Sequence, residues 1–290
     1  MKNKLTTFLL FLVFLAGLSL LLYPTVSDYW NSFTQSRAIA SYAEEVANID
    51  EEKYMEIWDA AAKYNTSLLD RHNSYLLSEE QKTEYEELLN LAGNGVMGYV
   101  EIPSIGCSLP IYHGTAESVL QIAVGHLEWT SLPVGGLSTH CVISGHRGLP
   151  SAKLFTDLDE LAEGDIFMLR VLNEILTYEV DKISIVEPDE TEKLLIEADK
   201  DYCTMVTCTP YGINTHRLLV RGHRIANIEE SKVIRVTADA IQIDPMIVAP
   251  IALIPILIIF MFILLLSDNT QTTKQGGNKY DDLQNEKMRL

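Results

Sequence analysis

Basic residues are scarce in this 290-residue chain: 22 Lys and Arg stand against 40 Asp and Glu, a formal net charge of −18. A chain this acidic lacks the basic patches that a nucleic-acid partner requires. Cysteine is rare too, at four residues, Cys107, Cys141, Cys203 and Cys208. None of them has CxxC or metal-ligand spacing, so a disulfide-dense module and a zinc site are both excluded, and no metal or cofactor is expected. No P-loop, GxGxxG or internal repeat occurs, which removes the common nucleotide-binding and solenoid classes. Cys203 and Cys208 lie five apart in one strand-like run, so they face opposite sides and cannot join. Cys107 and Cys141 are free to pair by spacing alone, although buried thiols acting as small hydrophobes suit Cys107, Cys141 and Cys203 better.

Long uncharged apolar runs, by contrast, are present twice. The first covers residues 5–22 and the second 246–266. A bilayer core needs about 20 apolar helical residues, so both runs are read as membrane spans. Pro250 and Pro255 in the second are tolerated where neighbouring groups satisfy the freed carbonyls. Lys2 and Lys4 before the first span, and Lys274, Lys279, Lys287 and Arg289 after the second, put both ends in the cytoplasm and residues 24–245 outside. The apolar run continues unbroken to Tyr23-Pro24, which favours an uncleaved anchor over a signal peptide.

Between the spans the texture changes once. Ile39, Tyr42, Val46 and Ile49, then Tyr54, Ile57, Ala61, Tyr64 and Leu68, step by three and four as a helix does. Asp50-Glu51-Glu52 suits a helix start, where carboxylates meet the positive end of the dipole. A helical arm is therefore expected over residues 25–92, closing in a polar stretch. From about residue 93 to 230, short runs rich in Val, Ile, Leu and Tyr alternate with Gly, Pro and Asn turns, and short helices fall near 116–123, 154–161 and 190–197. This predicts an all-β, closed barrel rather than a doubly wound sheet. Residues 231–245 would link it to the second span, taken as 246–267, and 268–290 would form a cytoplasmic tail. The N-terminal unit, 1–24, is the anchor.

Three polar residues are expected at strand ends: His146 in "HCVISGHRG", Cys208 in "DYCTMVTCTP" and Arg217 after the loop "TPYGINTH". Thr204, Val206 and Cys208 share one face, and Thr209-Pro210 ends the strand at once. A thiol there is held by a rigid element and opens to a cleft, as a nucleophile must. A nearby imidazolium or guanidinium favours the thiolate. The planar fork of Arg217 suits a peptide carbonyl or its oxyanion. His216 points away from the face that Arg217 uses, and His140 lies too far back along its strand to compete as a base.

The string "TMVTCTPYGINTHRLLVRGHR" resembles the sortase signature, a Thr-Leu-x-Thr-Cys-Thr-Pro run with an arginine nine residues beyond the cysteine; Met205 stands where leucine is usual. "STHCVISGHRGLPSAKLFTDLDEL" is similar to the sortase segment that carries the histidine, and "GYVEIPSIGCSLPIYHG" to the first two barrel strands. Two spans and a helical arm resemble class C, the pilin-polymerising sortases. The resemblance implies a sortase-type β-barrel in which Cys208 is the nucleophile, His146 the acid and base, and Arg217 the substrate and oxyanion group, with Thr207 and Thr209 as further substrate- and oxyanion-binding residues. Class C members carry a lid with Asp-Pro-aromatic; here the matching stretch has Asp70, Arg71 and His72, so a weaker lid is expected.

The implied function is that of a membrane-anchored cysteine transpeptidase on a Gram-positive surface. It would cut an LPXTG-like sorting signal between Thr and Gly through a thioester, and join pilin subunits through an acceptor lysine as isopeptide bonds. Its partners would be pilin subunits and the membrane. The alternatives are a sortase that anchors surface proteins to peptidoglycan, and a non-catalytic surface adaptor built on the same barrel. A papain-like peptidase is excluded by chain order, since its cysteine precedes its histidine.

Overall fold

The computed structural model describes residues 2–69 and 76–227. The second apolar run at 246–266, its linker and tail, and the lid candidates Asp70, Arg71 and His72 lie outside the described residues. Helix α1, Lys2–Asn48, contains the first apolar run and passes through Pro24 without a break. The anchor, read from the sequence as ending at residue 24, and the first part of the arm, residues 25–48, are thus one helix. It is the one helix among the described residues that is long and apolar enough to cross a membrane. Helix α2, Glu51–Leu68, starts where the carboxylates indicated: the Asp50 side chain accepts from Lys53 N, with Glu51 and Glu52 in the first turn. Helix α3, Glu79–Glu87, opens on a capping box between Ser78 and Gln81. It lies in the stretch read from sequence only as polar, because a single buried side chain, Tyr85, leaves no apolar stripe to detect.

Eight strands follow among the described residues: β1 Val96–Ile102, β2 Cys107–His113, β3 Val124–His126, β4 Thr139–Ser144, β5 Ile166–Val171, β6 Glu174–Val186, β7 Asp201–Thr209 and β8 His216–Arg224. They close as a barrel in the order β1-β2-β3-β4-β7-β8-β6-β5. Helix α4, Glu117–Leu120, bridges β2 and β3. Seven strands match the runs picked out by their Val, Ile, Leu and Tyr content between turn residues. Three-residue β3 escaped that reading, since it is too short to show a period. Strand β3 lies so close to the chain after β2 that a Cβ on Gly125 would stand 2.1 Å from the Gly114 carbonyl oxygen.

Inward side chains, among them Val100, Ile111, Ile143, Met205, Val220, Phe167 and Tyr178, fill the barrel. The arm adds Tyr42, Val46, Ala61, Tyr64 and Leu68 to the same core. Tyr42 is 2% exposed, and its hydroxyl donates to Met97 O (2.9 Å) and accepts from Leu172 N (2.8 Å). Tyr85 does the equivalent for α3: it accepts from Gly114 N (3.0 Å) and meets His126 Nδ1 (3.0 Å). A second apolar cluster, Val142, Val186, Leu194, Val206 and Leu219, lies on the outer side of β4, β7, β8 and β6 beneath Leu127 and Trp129. All four cysteines are free thiols, with Cys141 and Cys203 buried and facing each other in the β4–β7 register. Cys107 is half-buried as a residue, yet its thiol is turned inward, and burial pushes it up to about 12.

His140 is a satisfied core histidine. Its Nδ1 sits 2.9 Å from Leu195 O and its Nε2 2.7 Å from Thr204 Oγ1, so Nδ1 donates to the carbonyl and Nε2 accepts from the hydroxyl. Burial pushes its pKa down to about 4 from an ordinary 6.5. Between those values the unfolded chain binds the extra proton, so this contribution to stability is complete above about pH 6.5 and is lost as pH falls towards 4. Unfolding midpoints measured from pH 7 to 4.5 should fall more steeply in the parent than in His140→Gln; parallel curves would remove His140 as the cause.

Candidate active site

Strand register assembles the candidates. Strands β4 and β7 run parallel, with Val142 beside Thr204 and Ser144 beside Val206. Beyond the end of β4 the tie continues: Gly145 N donates to Val206 O (3.0 Å), and the Thr207 hydroxyl donates to Gly145 O (2.8 Å). Two residues beyond Ser144, His146 therefore leaves the sheet alongside Cys208. On the other side β7 and β8 are antiparallel, and Cys208 stands opposite Arg217. Three consecutive strands thus carry His146, Cys208 and Arg217 at one end of the barrel. The alternation of β7 puts Cys208 on the face of Val206, and β8 does the same for Arg217 and Leu219. The outer apolar cluster accordingly leads along the barrel wall to Cys208.

The turn at His146 is tight. A Cβ on Gly145 would lie 2.8 Å from the Phe155 ring and 2.9 Å from Val124, so only glycine lets the chain leave β4 there. The following loop folds back, with Phe155 N donating to His146 O (3.1 Å). His146 Nε2 is buried with no hydrogen-bond partner among the described residues. It lies 3.5 Å from Glu117 Oε2, at ion-pair distance but without hydrogen-bond alignment. Gln121, and after it His146, hold the Glu117 carboxyl below its usual range. A buried ring nitrogen without a hydrogen bond keeps its bonding capacity unspent.

Arg217 Nη1 donates to Asn214 O (3.3 Å) and His216 O (3.1 Å), which curls its guanidinium onto the β7–β8 loop. Thr209 Oγ1 accepts from Arg147 Nη1 (3.4 Å). The Thr207 side chain, held by Gly145 O, is not on the Cys208 face. Arg147 is a further residue of the site: its buried guanidinium also pairs with Asp159 and lies 5.7 Å from the centre of the Tyr211 ring. It therefore stitches the His146 loop to the loop after Cys208. Its one sequence signal was adjacency to His146. Glu117 offered no signal, being a lone acid in an acidic chain.

A Sortase domain model matches residues 100–225. Sortase C1 from Streptococcus agalactiae is 49% identical in sequence, with a TM-score of 0.64 over 66% of this chain and 100% of that one. Sortase C of Clostridium perfringens, solved with the C-terminal cell wall sorting motif, is 45% identical, with a TM-score of 0.59 over 66% of this chain and 100% of that one. The chain belongs to the sortase family, class C. Curated relatives are more distant: Sortase D of Bacillus subtilis (strain 168) is 32% identical over 131 residues, 44% of this chain and 63% of the relative. Sortase A of Streptococcus agalactiae serotype III is 30% identical over 130 residues, 44% of this chain and 52% of the relative. The chain thus spans less than two thirds of the curated relatives it matches.

In this sortase the Thr207 hydroxyl is a structural bolt for the His146 turn. Thr207→Val keeps the shape and removes the donor, leaving the Gly145 carbonyl unpaired in a buried place, which costs about 1–3 kcal/mol. At roughly 2–4 °C per kcal/mol for a domain of this size, the unfolding midpoint should drop by several degrees in calorimetry. An unchanged midpoint would show that water or another donor takes its place.

Proposed function

We propose that this sortase is a membrane-anchored cysteine transpeptidase that polymerises pilin subunits. The observation that supports it most is the shared register of Cys208, Arg217 and the chain leaving β4 at His146. The Cys208 thiolate attacks the carbonyl carbon between Thr and Gly of an LPXTG-like signal. The oxyanion of the resulting tetrahedral intermediate is met by the Arg217 guanidinium once it swings from its loop carbonyls. Collapse breaks the C–N bond, His146 supplies the proton that the departing glycine amine needs, and a thioester remains on Cys208. A lysine amine of a second pilin then attacks the thioester. His146 accepts its proton, the C–S bond breaks, and an isopeptide bond is left. A dry acyl-enzyme favours the amine over water. Anchoring is supported by the apolar segment of α1. The solved relative that carries a cell wall sorting motif has the same fold.

Cys208→Ala should abolish both peptide cleavage and polymerisation, while Cys107→Ala keeps substantial activity; equal losses would point to a folding role. Arg217→Lys keeps the charge but not the planar fork. It should lose about 10²–10³ in rate, the usual cost of one oxyanion donor, with its circular dichroism unaltered. Turnover near that of the parent would leave Arg217 outside the reaction.

The stretch Asp70-Arg71-His72 is proposed as a shallow lid, because it lacks the proline that would pre-set a closed loop. Replacing all three residues by alanine should change alkylation of Cys208 only a few-fold. A rise on the order of 10³, about 4 kcal/mol of closure, would mean that the segment locks the site.

A further inference from the structure

Asp28, Asn31 and Gln35 fall at i, i+3 and i+7 on α1, so they form one polar stripe on the helix face that later buries Tyr42. Each reaches backbone far away in sequence. The Asp28 carboxylate accepts from Lys153 N (2.7 Å), Asn31 Nδ2 donates to Ser151 O (2.7 Å), and Gln35 Nε2 donates to Ile122 O (2.7 Å). Gln35 is 9% exposed, although it belongs to a helix whose neighbouring side chains are largely in solvent.

The backbone they hold frames His146 on both sides. Ser151 and Lys153 belong to the loop that leaves His146 and returns through Phe155 N to the His146 carbonyl. Ile122 follows α4, the helix that carries Glu117, whose carboxylate lies 3.5 Å from His146 Nε2. These three backbone groups belong to no strand ladder, and water would satisfy them in the absence of α1. Losing the contacts therefore costs little stability but releases two loops whose spacing sets the place of the imidazole.

We infer that Asp28, Asn31 and Gln35 are positioning residues for His146, so that the helix carrying the membrane-length apolar run is a working part of the active site. The inference rests on the proposed role of His146. A displacement of about 1 Å at a reacting group can cost on the order of 10² in rate.

The test uses the full chain in detergent micelles and compares the parent, the double variant Asn31→Ala/Gln35→Ala and Tyr42→Phe. Tyr42→Phe breaks an α1 contact at Met97 and Leu172, away from the His146 loop. The double variant should lose about 10- to 100-fold in kcat for a sorting-motif peptide, with KM nearly unchanged and the unfolding midpoint close to the parent's. Tyr42→Phe should lower the midpoint and keep kcat. A double variant with unaltered kcat, or one whose kcat falls only in step with its midpoint, overturns the inference. Should the parent cleave no peptide, the transpeptidase reading fails by itself. The clamp is then read from the rate of iodoacetamide labelling of Cys208, resolved by peptide mass: a several-fold difference between parent and double variant supports it, and equal rates overturn it.

Discussion

The pairing of β4 with β7 in parallel, and of β7 with β8 in antiparallel, is the constraint on which the site depends. Parallel neighbours end on the same side, so the chain leaves β4 at His146 where β7 reaches Cys208. An antiparallel neighbour begins where its partner ends, so β8 supplies Arg217 at the same place. Side chains alternate along each strand, and a slip of one residue between β7 and β8 would send Arg217 and Cys208 to opposite faces. The buried residues forbid that slip. Cys203 and Met205 point into the barrel core, while Val206 enters the outer cluster. The hydrophobic pattern of β7 therefore fixes the chemistry of its last residues.

That pattern also explains why a thiol can be both held and open. Val206 is almost fully buried under the outer cluster, whereas Cys208, two residues on, is only half-buried. The cover provided by Leu127, Trp129 and Leu194 stops between them. Cys141 and Cys203 belong to the same sheet but face the sealed interior, where a thiol is a small apolar side chain. Position along the strand and choice of face, rather than residue type, separate the candidate nucleophile from its buried counterparts.

Much of this was legible because period-2 alternation and turn residues report burial directly, and seven of the eight strands are long enough to show it. The ends of β4, β7 and β8 were legible for the same reason, and with them His146, Cys208 and Arg217. Strand β3 and helix α3 were not, since three residues carry no period and α3 contributes only Tyr85 to the core. Contacts made by single polar side chains were hidden altogether. Nothing near Glu117, Arg147 or Gln35 in sequence announces a partner 29, 62 or 87 residues away, because a polar contact made by one side chain to a distant group depends on the finished topology.

The same kind of contact holds α2 in place against the barrel. Asn65, 3% exposed, donates to Leu132 O (3.1 Å) and accepts from Leu132 N (2.7 Å), so α2 is bolted to the β3–β4 connection by a two-point bond. Tyr64 adds a hydroxyl directed at Glu128 O (3.4 Å). That connection carries Leu127 and Trp129, the residues that cover the outer apolar cluster beside β7. A buried asparagine whose amide meets both backbone groups of one residue is strongly directional, because any rotation of α2 leaves a buried donor and acceptor unpaired. The C-terminal turn of α2 is therefore fixed to the connection whose Leu127 and Trp129 pack against the outer apolar cluster.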